Sequence, residues 1–385
     1  MGFLVIAWRS AFRNRLRTGL TTSGVALAVV AFLFLRTFVA AFYAGVEQSA
    51  ADRMIVRNKN SIAFLLPRAY IDKLRAVPGV KDVSWANWFR GIYIDEKNFF
   101  AQFALDPESF YRMYPEFVLT DEEKKAFFAD QTGCSVGESL AEKFGWKVGD
   151  RITLKGTIYA GDFPFTIRGI YKGRDKVTDR SQFHFHWKYL DERAPDPAKN
   201  QLGWAILSTH ADDGAKVSAA VDKLFASSDN ETRTESEKAF NLSFISMSAT
   251  IIGAIQAVSF VVLIIILLVL GNTIAMASRE RTGEFAAMRA IGFRPKHIVW
   301  LVLAEGLVIG SLGGVVGLLL ARPVLRFMAG AIEQSLGAFL GPFEFQWPAA
   351  ILAVAVCVLG GMLASVLPAW RAGRLVIVDA LRRID

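Results

Sequence analysis

A membrane fold of four transmembrane α-helices, with a large α+β domain inserted between the first and second, is what the hydropathy of this 385-residue chain predicts. Three observations carry the prediction. Four stretches, 18–43, 251–277, 298–325 and 347–368, each hold the roughly 20 predominantly apolar residues needed to cross a bilayer. The segment 44–240 has the mixed composition of an ordinary water-soluble domain, and lysine and arginine gather at particular span ends.

Segment 1–17 sets Phe3, Ile6, Ala7, Ser10 and Phe12 against Arg9, Arg13 and Arg17. That pattern fits an amphipathic piece lying in the membrane interface before the chain turns to cross. A cleaved signal peptide also begins with charge and an apolar run, but this run continues to Tyr43 and no clear small-residue cleavage site follows. Within the spans only Arg36, Glu305 and Arg322 carry charge. Arg36 and Arg322 sit near span ends, where long side chains reach the headgroups. Windows such as 258–270 hold no charge over several turns, where a helix on a water-soluble core would show a polar stripe.

Orientation follows from the basic residues. Arg9, Arg13, Arg15 and Arg17 precede the first span; Arg279, Arg281, Arg289, Arg294 and Lys296 lie in the loop 278–297; Arg371, Arg374, Arg382 and Arg383 fall in the tail 369–385. The stretch 329–346, most of the short loop 326–346, has none. The positive-inside rule places both termini and the 278–297 loop in the cytoplasm, so that 44–240 is extracytoplasmic in an inner-membrane protein. These three segments carry 13 basic and 4 acidic residues, a net of +9 against +8 for the whole chain. The basic excess therefore belongs to membrane flanks, where it sets topology and meets anionic lipid, and nucleic acid is not an expected partner.

Segment 44–240 reads as α+β. Residues 67–76 form a short helix ending in PGV, 81–94 alternate as a strand, and 120–130 and 137–144 are helical before the Gly149-Asp150 turn. Strands follow at 151–154, 165–171, 182–187 and 204–208, and a helix at 212–225. The interleaving suggests two small lobes, the second inserted into the first.

Catalytic chemistry is hard to find. Cys134 and Cys357 fall in different environments, too far apart for a disulfide or metal pair. His184 and His186 in FHFHW share one strand face, but no CxxC, HExxH or third nearby histidine accompanies them, and they read as surface residues. Ser135 in CSVGES is not a nucleophile elbow, and Ser139 has no evident base. No GxxxxGK[ST] phosphate loop occurs, so the chain is expected to bind no cofactor and to hydrolyse no ATP in that manner.

The spans hold packing chemistry instead. Gly306, Gly310 and Gly314 recur every four residues in the third span, with Gly313 and Gly317 as a second row. Cys357 with Gly361, and Gly360 with Ala364, repeat the spacing in the fourth, and small residues so spaced let helix backbones approach closely in lipid. Glu305 needs a partner: it bonds across to a neighbouring helix or, the reading preferred from sequence, reaches the inner interface.

Residues 278–293, SRERTGEFAAMRAIGF, form a charged, helix-prone island between two spans. A helix over 279–289 would set Arg281, Glu284 and Met288 on one face, a spacing suited to seating in a groove of a soluble partner. Glu280-Arg281-Thr282, Glu284, Arg289-Ala290 and Gly292 match an ERTxExxxxRAxG loop. Pro368-Ala369, Arg371-Ala372, Arg374-Leu375 and Asp379-Ala380-Leu381-Arg382 match a PAxRAARLxPxEALR tail. With LDPESF at 105–110, LPRAYIDKLRAVPGV at 66–80 and VGESLAEKFGWKVGDRITL at 136–154, the chain resembles ABC-transporter permeases of the MacB/FtsX/LolC type over nearly its whole length.

That resemblance implies a non-catalytic permease that couples a cytoplasmic ABC ATPase dimer, with its ATP and Mg, to opening and closing of the outer domains. Glu280, Arg281, Thr282, Glu284, Met288, Arg289 and Gly292 would form the ATPase-coupling element. Four spans are few for a transport unit, so a second permease, identical or paralogous, is expected. A membrane-fusion adaptor and an outer-membrane duct are further candidate partners, besides membrane lipids. The function implied is export of a lipid, lipoprotein, peptide or drug-like substrate; the alternative is FtsX-like control of an extracytoplasmic enzyme or signalling partner. Ile377 stands where the family usually has Pro and Ala286 where Gly is common. No fused ATPase domain is present in the sequence, so the motor is expected on a separate polypeptide.

Overall fold

The structure, a computed structural model, describes residues 8–10, 12–47, 49–96, 98–175, 178–210, 212–336 and 343–374. The helices are α1 (Arg15–Glu47), α2 (Tyr70–Arg75), α3 (Pro107–Met113), α4 (Asp121–Ala129), α5 (Glu138–Phe144), α6 (Trp187–Arg193), α7 (Gly214–Leu224) and α8 (Glu237–Met247). Four more follow: α9 (Ala249–Glu280), α10 (Thr282–Ala290), α11 (Pro295–Leu336) and α12 (Trp347–Gly373). Two compact units emerge, one built on the long apolar helices and the other on residues 41–248.

In the first unit α1, α9, α11 and α12 are each long and apolar enough to cross a membrane. Helix α11 continues to Leu336, so residues 326–336 of the expected short loop are helical. The rest of that loop up to 342, the tail from Leu375 with Ile377 and Asp379–Arg382, and residues 1–7 and 11 lie outside the described residues.

The two glycine rows of α11 meet different neighbours. A Cβ added at Gly306 or Gly310 would overlap the backbone of α12 at Gly361 or Cys357, and one at Gly314 would press on Cys357 at 3.1 Å. A Cβ at Gly313 or Gly317 would instead meet Val25 or Val29 of α1, at 2.6 and 2.7 Å. Helix α11 is thereby packed backbone-close on two sides, and Gly361 returns the contact from α12. On an adjacent face of α12, Gly360 makes room for Leu267 of α9.

The second unit is one continuous sheet with helices on its faces. Its strands are β1 (Arg53–Asn58), β2 (Leu66–Pro67), β3 (Val80–Trp88), β4 (Gly91–Ile92), β5 (Gln102–Leu105), β6 (Phe117–Val118) and β7 (Gly133–Gly137). Then come β8 (Arg151–Gly156), β9 (Gly161–Gly173), β10 (Phe183–His186), β11 (Gln201–Leu202), β12 (Trp204–Thr209) and β13 (Thr232–Ser236). The order is β13-β1-β12-β3-β5-β10-β7-β9-β8-β4, with β6 on β9 and a separate β2–β11 pair. Residues from both ends of the domain make one half of the sheet and the middle of its sequence makes the other. The inserted lobe expected from the sequence is thus a continuation of the same sheet, joined where Ala86 pairs with Leu105.

Period-two burial explains the register. In β9, Phe163, Phe165, Ile167 and Tyr171 alternate inward. Phe163 and Phe165 join Phe89, Phe183 and Phe185 in one core. Under the other half, α2 and α7 pack their apolar stripes, and Tyr70 stacks on Phe225 with ring centroids 4.0 Å apart. Helix α4 starts at a capping box in which the Thr120 hydroxyl accepts from the Glu123 N–H while the Glu123 carboxylate accepts from the Thr120 N–H.

Candidate functional site

The charged island between α9 and α11 is not one helix. The helical run stops at Glu280, Arg281 adopts φ −106° and ψ 15°, and α10 begins at Thr282. This break turns the Arg281 side chain into the bundle. Its Nη1 lies 2.8 Å from Glu305 Oε2 and its Nε lies 2.9 Å from Glu284 Oε2. The guanidinium also reaches the Ser10 hydroxyl and sits 5.2 Å from the Phe285 ring centre. Glu284 is shared further, with Arg13, while Arg17 Nη1 lies 2.5 Å from Glu280 Oε2. Burial alone would raise the Glu284 pKa, but hydrogen bonds from Arg281 and Arg13 outweigh it and hold the carboxyl below its usual range.

Glu305 does not reach water: its side chain is 4 % exposed and ion-paired across to Arg281, which corrects the interface reading. A carboxylate in an apolar bundle stays charged only beside a fixed cation, and the α9–α10 break supplies one. Arg281, Glu284 and Met288 likewise do not form an open face, because Arg281 is buried and Glu284 is engaged by two arginines. Thr282 Oγ1 donates to the Arg279 carbonyl at 3.0 Å, and Arg289 Nη1 donates to the Gly373 carbonyl at 3.4 Å. Gly292, at φ 109°, closes α10: its N–H donates to Arg289 and the Phe293 N–H to Met288, the pairing that needs a left-handed residue after the helix.

Among the exposed charges of this island, Arg279, Glu280, Arg294 and Lys296, sits an open apolar tip. Ile291 is 81 % exposed and Phe293 42 %, with Ala287 and Ala290 exposed beside them, whereas Phe285 and Ala286 are buried. The signal was present in the sequence as AIGF, an apolar tetrapeptide among charges.

A second ionic cluster lies in the α+β domain. Arg53 places Nη2 2.7 Å from Glu116 Oε1 and Nε 2.8 Å from Glu237 Oε2, with its guanidinium 4.0 Å from the Tyr114 ring centre. Glu237 also accepts the Tyr114 hydroxyl at 2.8 Å and the Ala50 N–H at 3.1 Å. Burial opposes the charge on Arg53, but the Glu116 and Glu237 carboxylates push its pKa above the ordinary arginine value. In the chain Arg53 follows α1 and Glu237 opens α8, which leads into α9, so the cluster ties together the two ends by which the domain hangs on its spans.

The two histidines of FHFHW differ: His186 is half-buried at the end of its strand, and His184 is no surface residue. His184 is fully buried; with Nε2–H donating to Gln182 Oε1 at 2.9 Å, Nδ1 accepts from the Tyr111 hydroxyl at 3.1 Å, and that hydroxyl meets Ser135 Oγ at 2.5 Å. Burial pushes the His184 pKa down to about 3, so the ring is neutral and part of the core. His186 Nε2 donates to the Phe127 carbonyl at 2.7 Å. Cys134 and Cys357 are buried free thiols, and no group of three metal-ligating side chains occurs among the described residues.

Residues 18–224 match the MacB-like periplasmic core domain, and residues 256–377 match the FtsX-like permease C-terminal. An uncharacterized ABC transporter permease of Methanocaldococcus jannaschii is 22% identical over 98% of this chain and 97% of its own length. The macrolide export ATP-binding/permease protein MacB of Shewanella oneidensis is 24% identical over 72% of this chain, but the match spans only 40% of that longer protein. Among solved structures, the extracellular domain of the noncanonic ABC-type transporter YknZ from Gram-positive bacteria aligns with 48% of this chain and 99% of its own, at 14% identity and a TM-score of 0.36.

Proposed function

The chain belongs to the ABC transporter permeases that combine a MacB-like periplasmic core domain with an FtsX-like C-terminal region, and on that premise we propose that it is a non-catalytic coupling subunit. In this reading a separate cytoplasmic ATPase dimer, carrying ATP and Mg, docks on the island between α9 and α11. The observation that carries it is an apolar tip, Ile291 and Phe293, mounted on a short helix anchored inward at one end by Arg281 and Glu305. An exposed apolar pair on an otherwise charged loop is what a protein-docking contact needs.

The stroke follows from how the tip is held. Closure of the ATPase would push α10; the buried Arg281–Glu305 pair would hand the displacement to α11, and the glycine rows would carry α1 and α12 along as one body. Since α1 and α9 continue in the chain into the α+β domain, movement of the spans becomes movement of an extracytoplasmic domain. The match of that domain to the MacB-like core favours export of a lipid, lipoprotein, peptide or drug-like substrate by a permease pair over control of a wall enzyme.

The test is recruitment. Ile291→Asp with Phe293→Asp should leave the chain in the membrane and abolish both pull-down of its ATPase and permease-stimulated turnover. Unchanged recruitment would show that this tip is not the coupling contact.

A further inference from the structure

Where α9 ends beside the last turns of α12, the surface of the bundle holds a half-open pocket of about 110 Å³. Its lining mixes apolar Leu367 and Pro368, the hydroxyl-bearing Ser278 and Thr282, and two arginines, Arg279 and Arg371. Both arginines are exposed. Among the described residues neither meets a carboxylate, whereas Arg13, Arg17 and Arg281 nearby on the same unit all do. Two cations left without carboxylates around a partly apolar pocket suit an anionic group that arrives with an apolar tail.

The surroundings supply the place for that tail. Met276, Leu363 and Leu367 are exposed on the outer surface of the bundle. Trp370, half exposed with Arg374 stacked 4.1 Å from its ring centre, has the amphipathic character of a residue at headgroup level. We propose that Arg279 and Arg371 hold the phosphate of an anionic phospholipid whose acyl chains lie along Met276, Leu363 and Leu367. On the orientation argued above, this is the cytoplasmic leaflet, whose negative lipids basic pockets between spans recognise. Because Thr282 Oγ1 donates to the Arg279 carbonyl, the bound headgroup would brace the α9–α10 break that aims Arg281. The lipid site does not depend on the ATPase-docking reading.

The experiment counts lipid. The full chain is reconstituted into vesicles of equal phosphatidylglycerol and phosphatidylcholine, extracted in detergent, and its co-purifying lipid quantified by mass spectrometry. Phosphatidylglycerol should be retained about tenfold over phosphatidylcholine. Arg279→Gln with Arg371→Gln should bring the ratio close to one, while Arg294→Gln with Lys296→Gln, an equal charge loss within 278–297 at residues that do not line the pocket, should leave it unchanged. Should the double glutamine variant not fold, Arg279→Lys with Arg371→Lys keeps the charge, loses the forked geometry and should fall partway. Equal retention in the wild type, or an equal drop in the loop control, would overturn the site in favour of diffuse surface attraction. Displacement of the lipid by millimolar inorganic phosphate would assign the pocket to free phosphate and overturn the lipid.

Discussion

Arg281 in the membrane bundle and Arg53 in the α+β domain solve the same problem in different solvents. Each is a buried guanidinium between two carboxylates and over an aromatic ring: Glu284, Glu305 and Phe285 for one, Glu116, Glu237 and Tyr114 for the other. They differ in how completely the anions are satisfied. Glu237 takes Arg53 and the Ala50 N–H on one oxygen and the Tyr114 hydroxyl on the other. Among the described residues Glu305 has only Arg281 and the Ser10 hydroxyl, in a bundle whose outer surface is apolar. The domain cluster is a fully hydrogen-bonded tie, whereas the bundle cluster depends on one cation whose position is set by a helix break.

The largest effect should follow from removing the anion in the bundle. Glu305→Ala leaves buried Arg281 with Glu284, itself a third exposed, as its remaining carboxylate and should cost about 3 kcal/mol, the low end of the range for breaking one side of a buried pair. Arg281→Met combined with Glu305→Met should recover most of that stability while leaving ATPase stimulation impaired. Unfolding of the full chain in mixed micelles checks the first statement and turnover the second. If the double variant is as unstable as the single one, the two clusters do not differ in the way described.

Arg53→Met should cost less, about 1.5–3 kcal/mol, because Glu237 keeps its Tyr114 and Ala50 donors and Glu116 is partly exposed. Protection of domain amides against hydrogen exchange in the full chain measures it. A cost equal to that of Glu305→Ala would show that satisfaction of the anion is irrelevant.

What sequence revealed tracks solvent in the same way. In the spans a single Glu305 or a four-residue glycine spacing stands out against apolar neighbours, so the spans, the glycine rows and the need for a partner to Glu305 were all readable. The identity of that partner was not, because it depends on where the helix breaks, at Arg281, and Gly283 two residues on does not fix that place. In the domain, Arg53 is one arginine among many, and its strand RMIVRN carries charge at both ends, so neither strand nor cluster shows by alternation. Strand β13, TRTES, is polar throughout and pairs on one side only, with β1, so its place comes from tertiary pairing. His184 was misread because alternation gives the face of a strand and not which face is covered; Phe110, Tyr111 and Phe117 cover it.

Acid should separate the two regions more gently. His184 is depressed to about 3 by burial, so between that value and its ordinary 6.5 the folded chain binds fewer protons than the unfolded one. Its contribution is therefore fully present above pH 6.5 and is lost as pH falls, at up to about 1.4 kcal/mol per pH unit for one proton. Tyr111 and Tyr171 face the ring and stay neutral throughout that window. His184→Gln should remove one proton from the acid slope of domain protection by hydrogen exchange and leave the bundle's protection unaltered. An unchanged slope would place the acid sensitivity elsewhere.

The smallest effect belongs to the outermost contact of the bundle cluster. Arg13 is largely exposed and its partner Glu284 retains Arg281, so Arg13→Ala should cost about 0.2–1 kcal/mol and less at high salt. The sign with pH is fixed by Glu284. Its pairing holds the carboxyl below 4.5, so the contribution is present above that value and fades as pH falls through the lowered one. Stability of wild type and Arg13→Ala, compared at low and high salt and at neutral and acid pH, should converge under both high salt and acid. A loss as large as that of Glu305→Ala would mean that the N-terminal segment, and not the Arg281–Glu305 pair, is the chief anchor of the island.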